Sequence, residues 1–211
     1  PIPIELGNLT SLKSLDLSNN RLTGSLPIQL ASLTKLELLN IFLNSLNGSI
    51  PSYIGDLPKL QVLTLWENNF SGSVPQQLGS NGELLEVDLS SNYLTGPIPP
   101  HLCKSKKLHR LILLSNRFEG PIPTGLGLCP NLVRVRLGQN LLNGSIPNSL
   151  LSLPKLDLLE LSYNNLDGSF PNMIPMHDTR LGSLDLSNNR IGGTIPPTIG
   201  LFSALVDLDL S

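Results

Sequence analysis

The sequence predicts an α/β solenoid, a right-handed superhelix with a concave parallel β-sheet and short 3-10 or helical turns on its convex side. Three observations predict it. A pattern L-x-x-L-x-L-x-x-N-x-L-x-G-x-I-P recurs along the chain, its first leucine at Leu12, Leu36, Leu60, Leu84, Leu108, Leu132, Leu156, Leu181 and Leu205. The step is 24 residues, except for one of 25 between Leu156 and Leu181. An asparagine holds the same place in all eight complete units: Asn20, Asn44, Asn68, Asn92, Asn116, Asn140, Asn164 and Asn189. Self-similarity at a fixed period of this size marks a stacked repeat.

Each part of the unit has a physical reason. The segment x-L-x-L-x alternates apolar and polar residues, so it reads as a short strand with leucines on one face. One such strand cannot bury its leucines alone, and stacking the units makes a parallel sheet over a continuous core. The asparagine amide can donate and accept along the backbone of the turn beside it and of the next turn. Glycine and proline then bend the chain back across the outside, as at Gly24 with Pro27 or Gly144 with Pro147. The product is a leucine-rich-repeat solenoid. It forms one array over residues 1–211, with eight complete repeats from Leu12 and partial ones at both ends. Pro1-Ile2-Pro3 reads as the tail of a preceding unit, and polar capping repeats are not seen, so a longer parent array is expected.

Composition removes several function classes. Net charge is −2 and charged residues make up 14% of the chain, which is no footprint for nucleic acid. No apolar run reaches the roughly 18 residues of a membrane span. His101, His109 and His177 fall off the inward positions, no nucleophile–histidine pair presents itself, and no metal-ligand spacing occurs. No enzyme activity, cofactor or metal is expected. Four Asn-x-Ser/Thr sequons, at Asn8, Asn47, Asn69 and Asn143, lie outside the inner strands and favour a secreted or extracellular setting. Cys129 takes the slot filled by Leu33, Leu57 and Leu153, so it reads as a small buried hydrophobe. Two free thiols are expected, with a bridge between the adjacent coils of Cys103 and Cys129 left open.

The inner face carries the functional information. Strand alternation turns the residues two and four places after the first leucine out of the sheet, and those six and seven places after it to its rim. The first and eighth units show only Ser and Asp or Asn there (Ser14, Asp16, Ser18, Asn19; Ser183, Asp185, Ser187, Asn188). The middle units differ. They offer apolar contact at Phe42, Val62, Trp66, Ile112 and Leu114. They offer polar contact to backbone amides or a basic residue at Glu67, Glu86, Asp88 and Gln139, and a further cation at Arg110. A run of apolar residues on an exposed sheet face marks a binding surface. In the sixth unit Arg134 and Arg136 point the same way, about 7 Å apart along the strand. Gly138 leaves room beside them. Two convergent guanidinium forks suit a carboxylate, and a peptide C-terminus is such a group. The competing reading is a solvated pair bridged to Glu160 in the next unit.

Four stretches carry a family resemblance: Leu39-Asn40-Ile41-Phe42, Leu65-Trp66-Glu67-Asn68-Asn69-Phe70, Asn81-Gly82-Glu83-Leu84 and Arg134-Val135-Arg136. With them the chain resembles the ectodomains of plant leucine-rich-repeat receptor-like kinases, and within these the CLAVATA and BARELY ANY MERISTEM peptide-hormone receptors. The unit containing Met173-Ile174-Pro175-Met176-His177-Asp178, with its extra residue, departs from the pattern. The resemblance implies a secreted CLE-like peptide of about a dozen residues, bound on the concave face. Its free C-terminal carboxylate would be held by Arg134 and Arg136. It also implies a shorter leucine-rich-repeat co-receptor kinase, and a membrane span and Ser/Thr kinase outside this chain. The chain would then lie on the extracellular side of the plasma membrane. Units two to six span roughly 19 Å at about 4.8 Å per strand. That distance holds about six residues of extended peptide, so this stretch is expected to hold the C-terminal half of the site. The alternative reading is a secreted inhibitor of the polygalacturonase-inhibitor type, whose surface would be broad and charged over many units.

Overall fold

The structure is a computed structural model and describes residues 1–171 and 179–211. Its inner sheet has nine parallel strands, three residues each, one from every unit in chain order. They run from Ser14–Asp16 through Glu86–Asp88, Arg110–Ile112, Arg134–Arg136 and Leu158–Glu160 to Asp207–Asp209. Pairing never slips: Val87 aligns with Leu111, Leu111 with Val135, Val135 with Leu159, and Leu159 with Leu184. The 25-residue step is therefore absorbed outside the sheet. A one-residue slip would turn every leucine to solvent, so the central residue of each strand holds the register. Those central residues are buried from Leu15 to Leu184. The unusual segment Met173–Asp178 and His177 fall outside the described residues.

The repeat asparagines form a ladder. Asn116 donates from Nδ2 to the carbonyls of Leu113 and Leu114 in its own turn and of Leu89 in the preceding one. Its Oδ1 accepts from the backbone N–H of Leu94, also in the preceding coil. Asn68, Asn92, Asn140 and Asn164 repeat these bonds one coil apart. The second partner is thus the coil before. A buried amide that meets both its donors and its acceptor in this way costs little to bury.

A second, seven-stranded parallel sheet lies beyond the asparagines, from Thr23–Gly24 to Asn165–Leu166. The sequence predicts only bends there. These strands are short and rich in Ser, Asn and Gly, which read as turn. Each of the six from Ser45–Gly48 onward buries one large side chain: Leu46, Phe70, Leu94, Phe118, Leu142 or Leu166. Repeat glycines follow with positive φ; at Gly96, φ is 75° and an added Cβ would meet Ser73 Cβ at 3.3 Å. Outside these lie the expected 3-10 and helical turns, such as Ile28–Ser32, Tyr53–Asp56 and Thr124–Leu128.

The two cysteines are joined, against the expectation of free thiols. Cys103 and Cys129 form a disulfide between adjacent coils, with Cα atoms 5.5 Å apart. Their places in the repeat differ by two, but the outer segment of unit four runs through successive turns to Lys106 at φ 59°. That path brings Cys103 opposite Cys129. Opening a bridge across 26 residues frees the unfolded chain and lowers stability by about 3 kcal/mol. Urea unfolding of the Cys103→Ala/Cys129→Ala double variant is expected to show that loss, and added reductant should not lower it further.

Candidate binding face

In parallel register, the residues two places after each first leucine form a row across the inner sheet. Val62, Glu86, Arg110, Arg134 and Leu158 follow one another. The residues four places after it form a second row: Thr64, Asp88, Ile112, Arg136, Glu160. The residue seven places after it takes positive φ in every complete unit: Asn19, Leu43, Glu67, Ser91, Ser115, Gln139, Tyr163 and Asn188. This left-handed backbone is unfavourable for a side-chain-bearing residue. Coil-to-coil hydrogen bonds hold it, as in Glu67 N–H to Ser90 O at 3.0 Å.

The ends of the face close on themselves. Asp16 accepts from the N–H and Oγ of Ser18, at 3.0 and 2.6 Å, and Asp185 accepts likewise from Ser187. The Ser18 hydroxyl, helped by its N–H, pulls the Asp16 carboxyl below its usual range. Asp88 makes the same pair of bonds with Ser90. There, burial outweighs them, and the carboxyl is pushed above its ordinary value despite Ser90, Arg110 and Arg136. A raised folded-state value favours the protonated acid, so this stabilisation is complete below the unfolded value and is lost as pH rises through the folded one. Asp88→Asn does not titrate and Asn Oδ1 still accepts from Ser90. It is expected to gain stability over the wild type as pH rises above the ordinary value of 3.8, by less than about 1 kcal/mol at neutral pH. Unfolding curves at several pH values test it.

The apolar residues are half-buried rather than open. The Phe42 and Trp66 rings stack with centroids 4.5 Å apart and planes 8° from parallel. Val62 and Leu114 are half-buried as well. Ile112 corrects the expectation: it is buried, at 7% exposure. Its register partners Asp88 and Arg136 flank it on the neighbouring strands. Glu67 is exposed at the rim, and Gln139 accepts from Ser115 Oγ at 2.5 Å.

The three arginines have different surroundings. Arg110 Nη1 lies 3.1 Å from Glu86, while its Nε is buried without a hydrogen-bond partner. Arg136 Nε donates to Glu160 at 2.5 Å. Arg134 is exposed, with no ion-pair or side-chain hydrogen-bond partner among the described residues. The room beside Gly138 is taken by Glu160 and Ser162: an added Cβ would stand 3.0 Å from Glu160 Oε1 and 3.1 Å from Ser162 O. The space expected for a visitor is therefore occupied by the partner of Arg136.

His101 and His109 are exposed away from this face, and the described residues hold no cluster of potential metal ligands. The sequons Asn47, Asn69 and Asn143 are exposed on the second sheet, and Asn8 on an outer turn. No helix among the described residues is long and apolar enough to cross a membrane.

The Leucine Rich Repeat family profile matches residues 11–33, 59–81, 83–105 and 180–202. No curated protein matches the chain. Among solved structures, the ectodomain of the Arabidopsis receptor kinase HAESA, in complex with an N-terminally extended IDA peptide hormone, is 43% identical with a TM-score of 0.93. That match covers 99% of this chain and 35% of HAESA's. PEPR1 with AtPEP1 is 38% identical with a TM-score of 0.94, over 100% of this chain and 29% of that one. A complex of Arabidopsis HAESA with IDA and the co-receptor SERK1 matches at 33% identity and a TM-score of 0.62, over 100% and 47%. The chain thus spans about a third of the length of the first two.

Proposed function

The chain belongs to the leucine-rich-repeat proteins and resembles plant peptide-hormone receptor ectodomains over its whole length; on that premise we propose that it binds a secreted peptide hormone. The peptide lies on the concave face, and its free C-terminal carboxylate docks at the arginines of the sixth unit. One observation carries this reading: an open guanidinium, Arg134, stands on the inner face of the same array as the Phe42–Trp66 stack. Desolvated, it forms strong charge-assisted bonds to a carboxylate. Arg136 is the second contact, reached by exchanging Glu160 for the ligand. The small, self-satisfied Ser and Asp residues of the end units argue against the broad charged surface of a polygalacturonase-type inhibitor.

The ligand is of CLE-like type, about a dozen residues long, and this stretch holds its C-terminal half. The parent receptor is of the CLAVATA and BARELY ANY MERISTEM kind, carries its kinase on the far side of the plasma membrane, and recruits a shorter leucine-rich-repeat co-receptor, as HAESA is found with SERK1. Glycans at Asn8, Asn47, Asn69 and Asn143 would project away from the inner sheet. Titration calorimetry tests the central reading. The C-terminal hexapeptides of CLE-type hormones, IDA and AtPEP1 are compared as free acids and as amides. At least one free acid should bind more tightly than its amide; equal affinities throughout would remove the carboxylate contact.

A further inference from the structure

The chain has seven lysines, and every one stands within four places of the first leucine of a unit. No lysine lies in a strand of either sheet. All seven therefore crowd one edge of the array, where each coil turns into its inner strand. The place just before the first leucine carries Lys35, Lys59, Glu83, Lys107, Asn131 and Lys155 in successive coils, and Arg180 follows. Side-chain contacts join this file from coil to coil: Lys107 Nζ lies 2.8 Å from Glu83, and Lys155 Nζ 2.8 Å from Asn131 Oδ1. Lys107 holds the Glu83 carboxyl below its ordinary range, and Lys59 adds to that pull. Lys35, Lys59 and Lys106 are exposed, with no ion-pair or side-chain hydrogen-bond partner among the described residues. Against the lysines and Arg180 the edge offers four carboxylates among the described residues, Glu37, Asp56, Glu83 and Asp157. Lys13 and Lys107 already take up Glu37 and Glu83. The chain as a whole is at −2, so this surplus of cation is local. The Cys103–Cys129 bridge fixes the turn that carries Lys104, Lys106 and Lys107. Three of the four sequons, Asn47, Asn69 and Asn143, lie on the second sheet, beyond the other end of the inner strands.

We propose that this edge binds an extracellular polyuronate, a linear polysaccharide with one carboxylate per sugar ring, laid along the array from Lys35 to Arg180. The six steps between those residues cover about 29 Å at about 4.8 Å per strand. A single file of that length fits a chain better than a rounded protein surface. Units two to eight bring seven cations, an average of one per coil. That density matches a polymer charged once per ring, whereas a multiply sulfated chain would outnumber it. Ammonium groups on long stems are solvated point charges, suited to carboxylates presented at many angles. An anionic membrane fits less well, because the anionic leaflet faces the cytoplasm and the chain resembles receptor ectodomains. The proposal rests on the extracellular setting alone. It is independent of the peptide reading, since the two ligands use different faces of the array.

Biolayer interferometry on the immobilised chain tests it, with polygalacturonate as the probe and its fully methyl-esterified form as control. The acid form should bind and the ester should not, because esterification removes the charge and keeps the backbone. The triple variant Lys35→Gln/Lys59→Gln/Lys106→Gln breaks no ion pair of the folded chain and should weaken binding at least about tenfold. Arg21→Gln/Arg117→Gln/Arg190→Gln, on the side of the second sheet, changes net charge equally and should leave binding unchanged. No binding of polygalacturonate, equal binding of the ester, or equal losses in the two triple variants would overturn the proposal. Tighter binding to dextran sulfate, to phosphatidylserine vesicles or to polyaspartate at matched charge concentration would also overturn it, by assigning the edge to that class of partner.

Discussion

Arg134→Ala is expected to weaken binding of the free-acid hexapeptide by about 2–5 kcal/mol, roughly 30- to 5,000-fold in Kd. The loss should fall on the free acid and leave the amide's affinity unchanged, because the missing group would have met the carboxylate. The folded state should not suffer. Arg134 is exposed and faces a like charge on the next strand, so its removal relieves repulsion. Arg136→Ala should behave differently: it strands Glu160, which is only 17% exposed, and therefore costs about 1–2 kcal/mol of folding stability. Calorimetry beside urea unfolding separates the two. An Arg134→Ala protein that binds the free acid as tightly as wild type would end the argument for a carboxylate at this position.

Asn116→Ala is expected to remove about 3–5 kcal/mol of stability. The change deletes one acceptor and three donated bonds in the middle of the array. It leaves the buried Leu94 N–H without a partner, and each such group costs about 1–3 kcal/mol. Asn20→Ala is the matching control. Asn20 is exposed, and its side chain donates to Leu17 and Ser18 in its own turn, so its loss should cost under about 1 kcal/mol. Urea unfolding of the two variants gives the comparison. Equal losses would mean that the asparagines only shape their own turns and do not tie coils together.

How far the residues alone lead can be judged from particular places. The leucine and asparagine periods are legible because period and burial coincide through the middle units; Leu111, Val135 and Leu159 fall where alternation puts them. The second sheet is not legible, since its strands are short and Phe70 or Phe118 is the single apolar mark in a polar stretch. The disulfide escapes because the turn path at Lys106 shifts the frame by two. At the binding face, alternation shows which residues point inward but not how two side chains divide a partner. Glu160 stands one unit from Arg136 and is the only acidic register neighbour of the pair. Whether it takes Arg136 or Arg134 depends on the packing over Gly138. Ile112 fails for the same reason: alternation turns it to the face but does not show how its register neighbours Asp88 and Arg136 pack beside it.

The unslipped register of the inner sheet has one more effect. Three residues of an extended chain advance about 9.9 Å, and two strands of the sheet about 9.6 Å. A visitor stretched across the inner sheet therefore keeps step with it like a vernier, its backbone meeting an equivalent strand at every third residue. Because side chains of an extended chain alternate faces, the same side returns to the sheet only at every sixth, so sequence preference along such a guest would recur with a period of six rather than three.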